Sequence, residues 1–319
     1  MEIFDADVIT AALADEAFRE AARVAIKNGF VAYSAGDVTV PPVGHLDLPD
    51  AGGECHIKYG WIRGDDVYLV KIASGFYGNA ALGLPSGNGM MVLFSARTGA
   101  PAAILLDAGL LTDVRTAMAG AIAAAALAPP TVECIGIVGG GIQARLQLRE
   151  LASVTACRRV LVSTRSSAAF DTLAADLSDT DFALERADSI EGLFDAARLI
   201  VTTTPATKPF VRAQWVRAGT HITCMGSDGG GKQELDAGVF ARADVCIVDS
   251  LSQCLAFGDT SYAVTEGALG RDAPVELGAV LGGRHPGRTS AEQITIADLT
   301  GVAVQDIAIA KAMWARLQG

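Results

Sequence analysis

The run Cys134-Ile-Gly-Ile-Val-Gly-Gly-Gly-Ile-Gln-Ala144 constrains the fold more than any other part of this chain. It is apolar and rich in β-branched residues up to Val138, and then gives the pattern Gly139-x-Gly141-x-x-Ala144. A strand that ends in such a turn and feeds a helix aims backbone N–H groups, and the positive end of the helix dipole, at a pyrophosphate. Gly139 permits the tight turn, Gly141 lets the backbone approach the phosphates, and Ala144 allows helix to pack closely on strand. The alternative is a glycine-rich turn that binds nothing. Helical spacing from Gln143 to Val154, followed by the strand-like Arg159-Val-Leu-Val-Ser-Thr164, supplies the βαβ context a dinucleotide site requires.

Strand-like segments then recur at Val160 to Ser163, Leu199 to Thr203, His221 to Met225 and Val245 to Val248, with helix-length stretches between them. Ile294 to Asp298 is one more strand and Val304 to Leu317 one more helix. This alternation predicts an α/β fold with a Rossmann-type, doubly wound parallel sheet. Ahead of it the pattern differs. Residues 5–33 carry helical periodicity. The runs Glu54 to Tyr59, Val67 to Ile72, Met90 to Phe94 and Ala102 to Leu106 predict an antiparallel sheet, hence a separate α+β region. A long helix from Leu110 to Leu127 stops at Pro129-Pro130.

The 319 residues are half apolar and carry a net charge of −11 with no Lys/Arg run, which argues against nucleic acid and anionic membranes as partners. The acidic N-terminus lacks the basic and apolar regions of a signal peptide, and the alanine-rich run Met118 to Leu127 is too short to span a bilayer, so a cytoplasmic protein is expected. Six cysteines without a CxxC pair read as core residues. The four histidines show no ligand spacing, so no metal site is expected.

Where NAD-binding units place a carboxylate after the second strand, this chain has Ser163-Thr164-Arg165-Ser166-Ser167. A guanidinium flanked by hydroxyls suits a 2′-phosphate, so NADP(H) is favoured over NAD(H), with Thr164, Arg165 and Ser166 as its binding residues. The other reading makes Arg165 a solvated helix-start residue and lets either cofactor bind. The second glycine-rich stretch, Met225 to Leu235, puts Asp228 beyond the carboxyl end of a strand. There it can exchange a proton or hold an ammonium, with Lys232 pairing to keep it ionised. A surface ion pair is the competing explanation. Lys58, Lys71 and Arg115 stand out in an acidic chain as a candidate pocket for a carboxylate, Arg115 being the bidentate anchor. Taken singly, each also fits a snorkelling surface residue.

Taken in order, Lys71-x-x-x-Gly75, Gly83 to Gly89, Thr98-Gly99, Leu106-Asp107, Leu111-Thr-Asp-Val-Arg-Thr-Ala117, Gly139 to Ala144, Thr202-Thr-Thr-Pro205, Gly226-Ser-Asp228 with Lys232 and Glu234, and Asp298-Leu-Thr-Gly301 with Gln305-Asp306 resemble the ornithine cyclodeaminase/mu-crystallin family. Pro41-Pro42, Lys71 to Ser95 and Asp298-Leu-Thr-Gly301 look most like its ectoine-degradation dehydrogenase-type branch. The resemblance implies a substrate-binding and dimerisation domain from residues 1–115 plus about 300–319, an NAD(P)-binding domain over 116–299, and a homodimer. It implies that Lys71 and Arg115 hold an α-carboxylate and that Asp228 is the acid/base group, making Asp228 and Lys71 the catalytic pair. Thr202 and Thr203 would lie beside the nicotinamide, and Gly139, Gly141, Gln143 and Ala144 at the pyrophosphate. Ile142, Thr204, Met225, Gly226, Ser227 and Leu299 complete the cofactor-binding set. The chain departs from cyclodeaminases at Val43, where they carry an arginine, and at His56, near the position of a glutamate. Lys58 is then the substitute for the arginine and His56 a polar substrate-pocket residue. These departures favour a reductase of a small imino acid, or the reverse amino-acid dehydrogenase. The alternatives are a cyclodeaminase with no net redox change and a non-enzymatic NADPH-binding protein.

Overall fold

The computed structural model describes residues 1–318 and divides into two compact units, 1–115 with 302–319, and 116–301. The first unit is built on strands β1 (Glu2–Phe4), β2 (Val38–Thr39), β3 (Gly44–Leu48), β4 (Gly53–Ile62), β5 (Val67–Phe76), β6 (Gly87–Ser95) and β7 (Pro101–Leu105). They pair in the order β1-β7-β6-β5-β4-β2, with β3 also on β4. The expected antiparallel sheet is in fact mixed, because Glu2–Phe4 joins β7 in parallel. A three-residue strand with one acidic position has no period to read, and only the partner edge makes it a strand.

Alternation along these strands sorts the residues onto two faces. Leu69, Met91, Leu93, Ala103 and Leu105 are buried. The helices Glu16–Ser34 and Ala303–Gln318 pack on each other and on this sheet, and supply Phe18, Ala22, Ile26, Phe30, Ile307 and Met313 to the core. Side-chain caps from Asp5 and Asp15 start the first two helices, each accepting from a backbone N–H. The opposite face leaves Leu46 58%, Ile57 39% and Tyr59 38% exposed.

The second unit holds β8 (Ile135–Val138), β9 (Arg159–Ser163), β10 (Ala183–Arg186), β11 (Leu199–Thr202), β12 (His221–Cys224), β13 (Val245–Val248), β14 (Val275–Glu276) and β15 (Thr295–Asp298). All pairs are parallel and the order is β10-β9-β8-β11-β12-β15-β13-β14. Five of these strands, β8, β11, β12, β13 and β15, are buried almost throughout, and β8, β11 and β13 are largely apolar, as expected where helices cover both faces of such a sheet. Strand order reverses between β8 and β11, the switch point where open α/β sheets bind ligands outside the strands' carboxyl ends.

The helix Leu110–Leu127 is longer than its alanine-rich core. With mean hydropathy 1.4 it is long and apolar enough to cross a membrane by length and composition alone. Its Leu111, Met118, Ala121, Ala123, Ala124 and Leu127 are instead buried in the protein.

Replacing Phe30, fully buried, by Ala should cost about 3–5 kcal/mol, whereas Val24→Ala on the exposed face of the same helix should stay within about 0.5 kcal/mol. Urea midpoints of the two variants measure the difference.

Candidate active site

Gly139 has φ +126°, a conformation side chains avoid, and a Cβ there would lie 2.3 Å from Thr203 Oγ1. Gly141 is different, since a Cβ would meet nothing within 4 Å. It caps the helix Ile142–Leu151, which has no side-chain cap and no acidic residue in its first turn. The helix start lies beside β8 at the switch point with open space at Gly141, and this geometry fits a dinucleotide pyrophosphate. Ala144 is buried under the turn, Gln143 is half-buried and Ile142 is exposed at the helix start.

At the end of β9, Thr164 Oγ1 donates to the Ser166 carbonyl at 2.8 Å, and Ser166 Oγ accepts from Ala169 N, capping the next helix. Arg165 between them is exposed.

Across the switch point a buried carboxylate organises the chain. Glu234 accepts from Thr202 Oγ1 (2.7 Å), Thr204 N (2.7 Å), Thr204 Oγ1 (2.7 Å) and Gly226 N (2.9 Å). It therefore ties the ends of β11 and β12 together. Thr203 Oγ1 turns to the Val138 carbonyl at the end of β8. Asp259 Oδ1 in turn accepts from the N–H groups of Glu234 and Leu235. Burial, with the charge of Asp259 adding to it, pushes the Glu234 carboxyl up to about 7. Burial raises Asp259 to about 6, and Asp298 is also pushed up by burial and by Asp259. Met225, Ser227 and Leu299 are buried around these strand ends. The loop they support carries Asp228, exposed, with Lys232 Nζ 2.7 Å from its Oδ1.

The cations of the first unit converge on a second buried carboxylate. Lys71 Nζ lies 3.0 and 2.9 Å from the two oxygens of Asp306, and Arg115 Nε lies 2.9 Å from Oδ1. Arg115 Nη1 donates to Gln305 Oε1 at 2.8 Å. Lys71 is 2% exposed, Arg115 4% and Asp306 fully buried. These two are core residues, not snorkelling ones. Lys58 stands directly opposite Lys71 across β4 and β5. Burial, outweighing Asp306, lowers Lys71 to about 7, and the charges of Arg115 and Lys58 push the same way. Burial alone would raise Asp306, but Arg115, Lys71 and Lys58 hold it below the ordinary carboxylate range. Two cations thus face one internal carboxylate, and the guanidinium has donors beyond these contacts. Beside them the same sheet face is floored by small residues, with Ala73 opposite His56 and Gly89 opposite Ala73. His56 Nε2 is 3.2 Å from Glu54 Oε2, so a glutamate does stand on this face, two residues before the position at which a family glutamate is absent.

Sequence reasoning gave no role to Asp306, Gln305, Glu234 or Asp259. The available signal was polarity out of place: Gln305 and Asp306 interrupt an otherwise apolar stretch, Val302 to Ala310, where an unpaired carboxylate would be costly.

Stability tied to Glu234 has a definite sign. Its folded pKa lies above the ordinary 4.5, so that contribution is complete below about 4.5 and is lost as pH rises through about 7. The loss should be on the order of 3 kcal/mol, and Glu234→Gln should remove this component of the pH dependence. Urea titrations of both proteins from pH 4.5 to 8 measure it; parallel curves would refute the assignment.

The profile of the ornithine cyclodeaminase/mu-crystallin family matches residues 6–319. A Sinorhizobium fredii protein named as an uncharacterised cyclodeaminase is 45% identical over 283 residues, 88% of this chain and 86% of its own. An archaeal alanine dehydrogenase dimer with bound NAD superposes with a TM-score of 0.89 at 31% identity, covering 100% of this chain and 96% of that one. The iminosuccinate reductase of Paracoccus denitrificans in complex with NAD+ gives a TM-score of 0.87 at 31% identity over 94% of this chain and 92% of that one. On the profile match, the identity and the order of its motifs, the chain belongs to the ornithine cyclodeaminase/mu-crystallin family.

Proposed function

We propose that this protein is a nicotinamide-dependent oxidoreductase acting at the α-carbon of a small amino or imino acid, as an imino-acid reductase or the reverse amino-acid dehydrogenase. The observation that carries the reading is the buried pair Lys71 and Arg115, two cations on one internal carboxylate beside a floor of small residues. Such a cluster has attraction to offer a further carboxylate, and the alanine dehydrogenase and iminosuccinate reductase it resembles act on small α-substituted acids by their names.

In this reading Arg115 and Lys71 fix the α-carboxylate, with Lys58 beside them, so orientation is the main catalytic device. A docking carboxylate favours the charged form of Lys71, so binding above pH 7 takes up a proton there. The bound nicotinamide supplies or receives the hydride. Gly139, Gly141 and the N–H groups that open the helix Ile142–Leu151 would hold its pyrophosphate, and Thr202, Thr203, Thr204, Gly226 and Ser227 its nicotinamide end. Asp228 gives a proton to the substrate nitrogen in reduction and takes it back in oxidation, and its charge favours the iminium. Exposed Arg165, with no carboxylate from 163 to 167, supports NADP(H) over NAD(H). The apolar outer face of the first unit's sheet, with Leu46, Ile57 and Tyr59 exposed, supports a homodimer. Six free cysteines fit the reducing cytoplasm.

A second reading, a cyclodeaminase, is favoured by the name of the 45% identical relative and by Glu54 standing near the substrate face. The two differ in stoichiometry. A panel of 2-oxo acids with ammonia or methylamine, cyclic imines such as pyrroline- and piperideine-carboxylate, and diamino acids is assayed with NADPH and NADH. Net consumption of reduced cofactor by an imino acid is expected, while ammonia release from a diamino acid without net redox change would replace the reading.

Asp228→Asn should lower kcat by about 10²–10⁴ with cofactor binding retained. Arg115→Lys should lower kcat/KM roughly 10- to 100-fold by removing bidentate contact worth about 1.5–3 kcal/mol. Arg165→Ala should weaken NADPH binding about tenfold or more and leave NADH unchanged. Equal NADPH and NADH affinity in the parent protein would end the NADP(H) assignment.

A further inference from the structure

We propose that the β3–β4 hairpin is a binding site for one divalent transition-metal ion of the zinc class, held by His45, His56 and Glu54 with Asp47 as the fourth donor. The antiparallel register sets His45 directly opposite His56 and Asp47 directly opposite Glu54. Positions i and i+2 of a strand share a face, so the four side chains form a two-by-two square on one side of the hairpin. Leu46, Leu48 and Cys55 occupy the other side.

Three corners of the square, His45, Glu54 and His56, are already drawn together. One ligand atom each from His45, Glu54 and His56 lies within 4.8 Å of the others. The two imidazoles meet edge to face with centroids 4.6 Å apart and planes at 79°. Each also touches the carboxylate of its own strand, His45 Nε2 to Asp47 Oδ1 at 2.8 Å and His56 Nε2 to Glu54 Oε2 at 3.2 Å. Tetrahedral zinc with bonds of about 2.0–2.1 Å needs its donors about 3.3 Å apart, a closure that side-chain rotation on paired strands supplies without moving the register. Two imidazoles and two carboxylates select zinc and its first-row neighbours over magnesium and calcium, which take oxygen alone. The dication also neutralises the two carboxylates.

Among the described residues β3 pairs in the sheet with β4 alone, and a metal across the square would fasten it there. His56 lies two residues from Lys58 on the same strand face, so the ion would sit at the edge of the surface that bears Lys71. Metal binding at the hairpin is independent of the reaction proposed above.

The test uses the full chain, stripped with a chelator and desalted, titrated with zinc chloride by calorimetry and with cobalt(II) for its ligand-field spectrum. One zinc ion per chain is expected, with a tetrahedral cobalt spectrum, no response to magnesium, and affinity lowered at least about tenfold by His45→Ala or His56→Ala. Far-UV circular dichroism identifies a folded variant, and Glu54→Gln gives a conservative second variant expected to weaken binding while keeping the fold. His285→Ala and Cys157→Ser should bind as the parent does. No saturable binding, or binding unchanged in the double variant at His45 and His56 and therefore an adventitious ion only, would overturn the proposal.

Discussion

The carboxylate of Asp306, fully buried between Lys71 and Arg115, is the interaction on which the first unit depends. Lys71 comes from the middle of a sheet, Arg115 from the start of a long helix, and Asp306 from the last helix of the chain. Their separations of 235 and 191 residues show why residues 302–319 belong with 1–115 although the whole second unit lies between them in sequence. Removing any one partner would leave a charge in the core, which costs several kcal/mol, so the cluster fixes the register of the last helix on the sheet. The same constraint produces chemistry. Lys71 is held at about 7 because burial and two neighbouring cations oppose its charge, so three cations stand around one carboxylate.

The second unit solves a similar problem in the opposite sense. Glu234 is surrounded by donors rather than cations, and its four hydrogen bonds bind the ends of β11 and β12 into one rigid edge. That edge is where a parallel sheet collects the carboxyl ends of its strands, and the loop that carries Asp228 runs between two of the bonded residues, Gly226 and Glu234. Asp228 itself stays exposed and pairs at the surface with Lys232. A buried, fully hydrogen-bonded carboxylate, Glu234, thus stands only six residues in sequence from an exposed one, Asp228.

The elements legible in the sequence were those with a strong period or a run of buried apolar residues. Strands such as Ile135–Val138 and Val245–Val248 and the helix Leu110–Leu127 fall where the pattern puts them, because a parallel sheet buried on both faces writes itself as short apolar runs rich in Val and Ile. Strands that depend on a neighbour were not legible. Glu2–Phe4, Gly44–Leu48, Ala183–Arg186 and Val275–Glu276 are short or half polar, and they are strands only because an adjacent edge offers hydrogen bonds. In the candidate site, Gly139 and Gly141 announced themselves, since a turn that approaches phosphate demands a residue without a side chain. Lys71 and Arg115 announced themselves as cations in an acidic chain, but not the carboxylate they share.

By itself, then, the sequence determined the fold class, the family and the position of the glycine turn, since these follow from local periodicity, backbone sterics and motif order. The tertiary structure decided which charges meet. Asp306 joins Lys71 and Arg115, Glu234 joins Thr202 and Gly226, and His45 faces His56, because strand register and helix docking bring together residues that sequence spacing leaves unrelated. Coulombic and hydrogen-bond energies act over a few ångströms of space, and only the folded chain sets those distances.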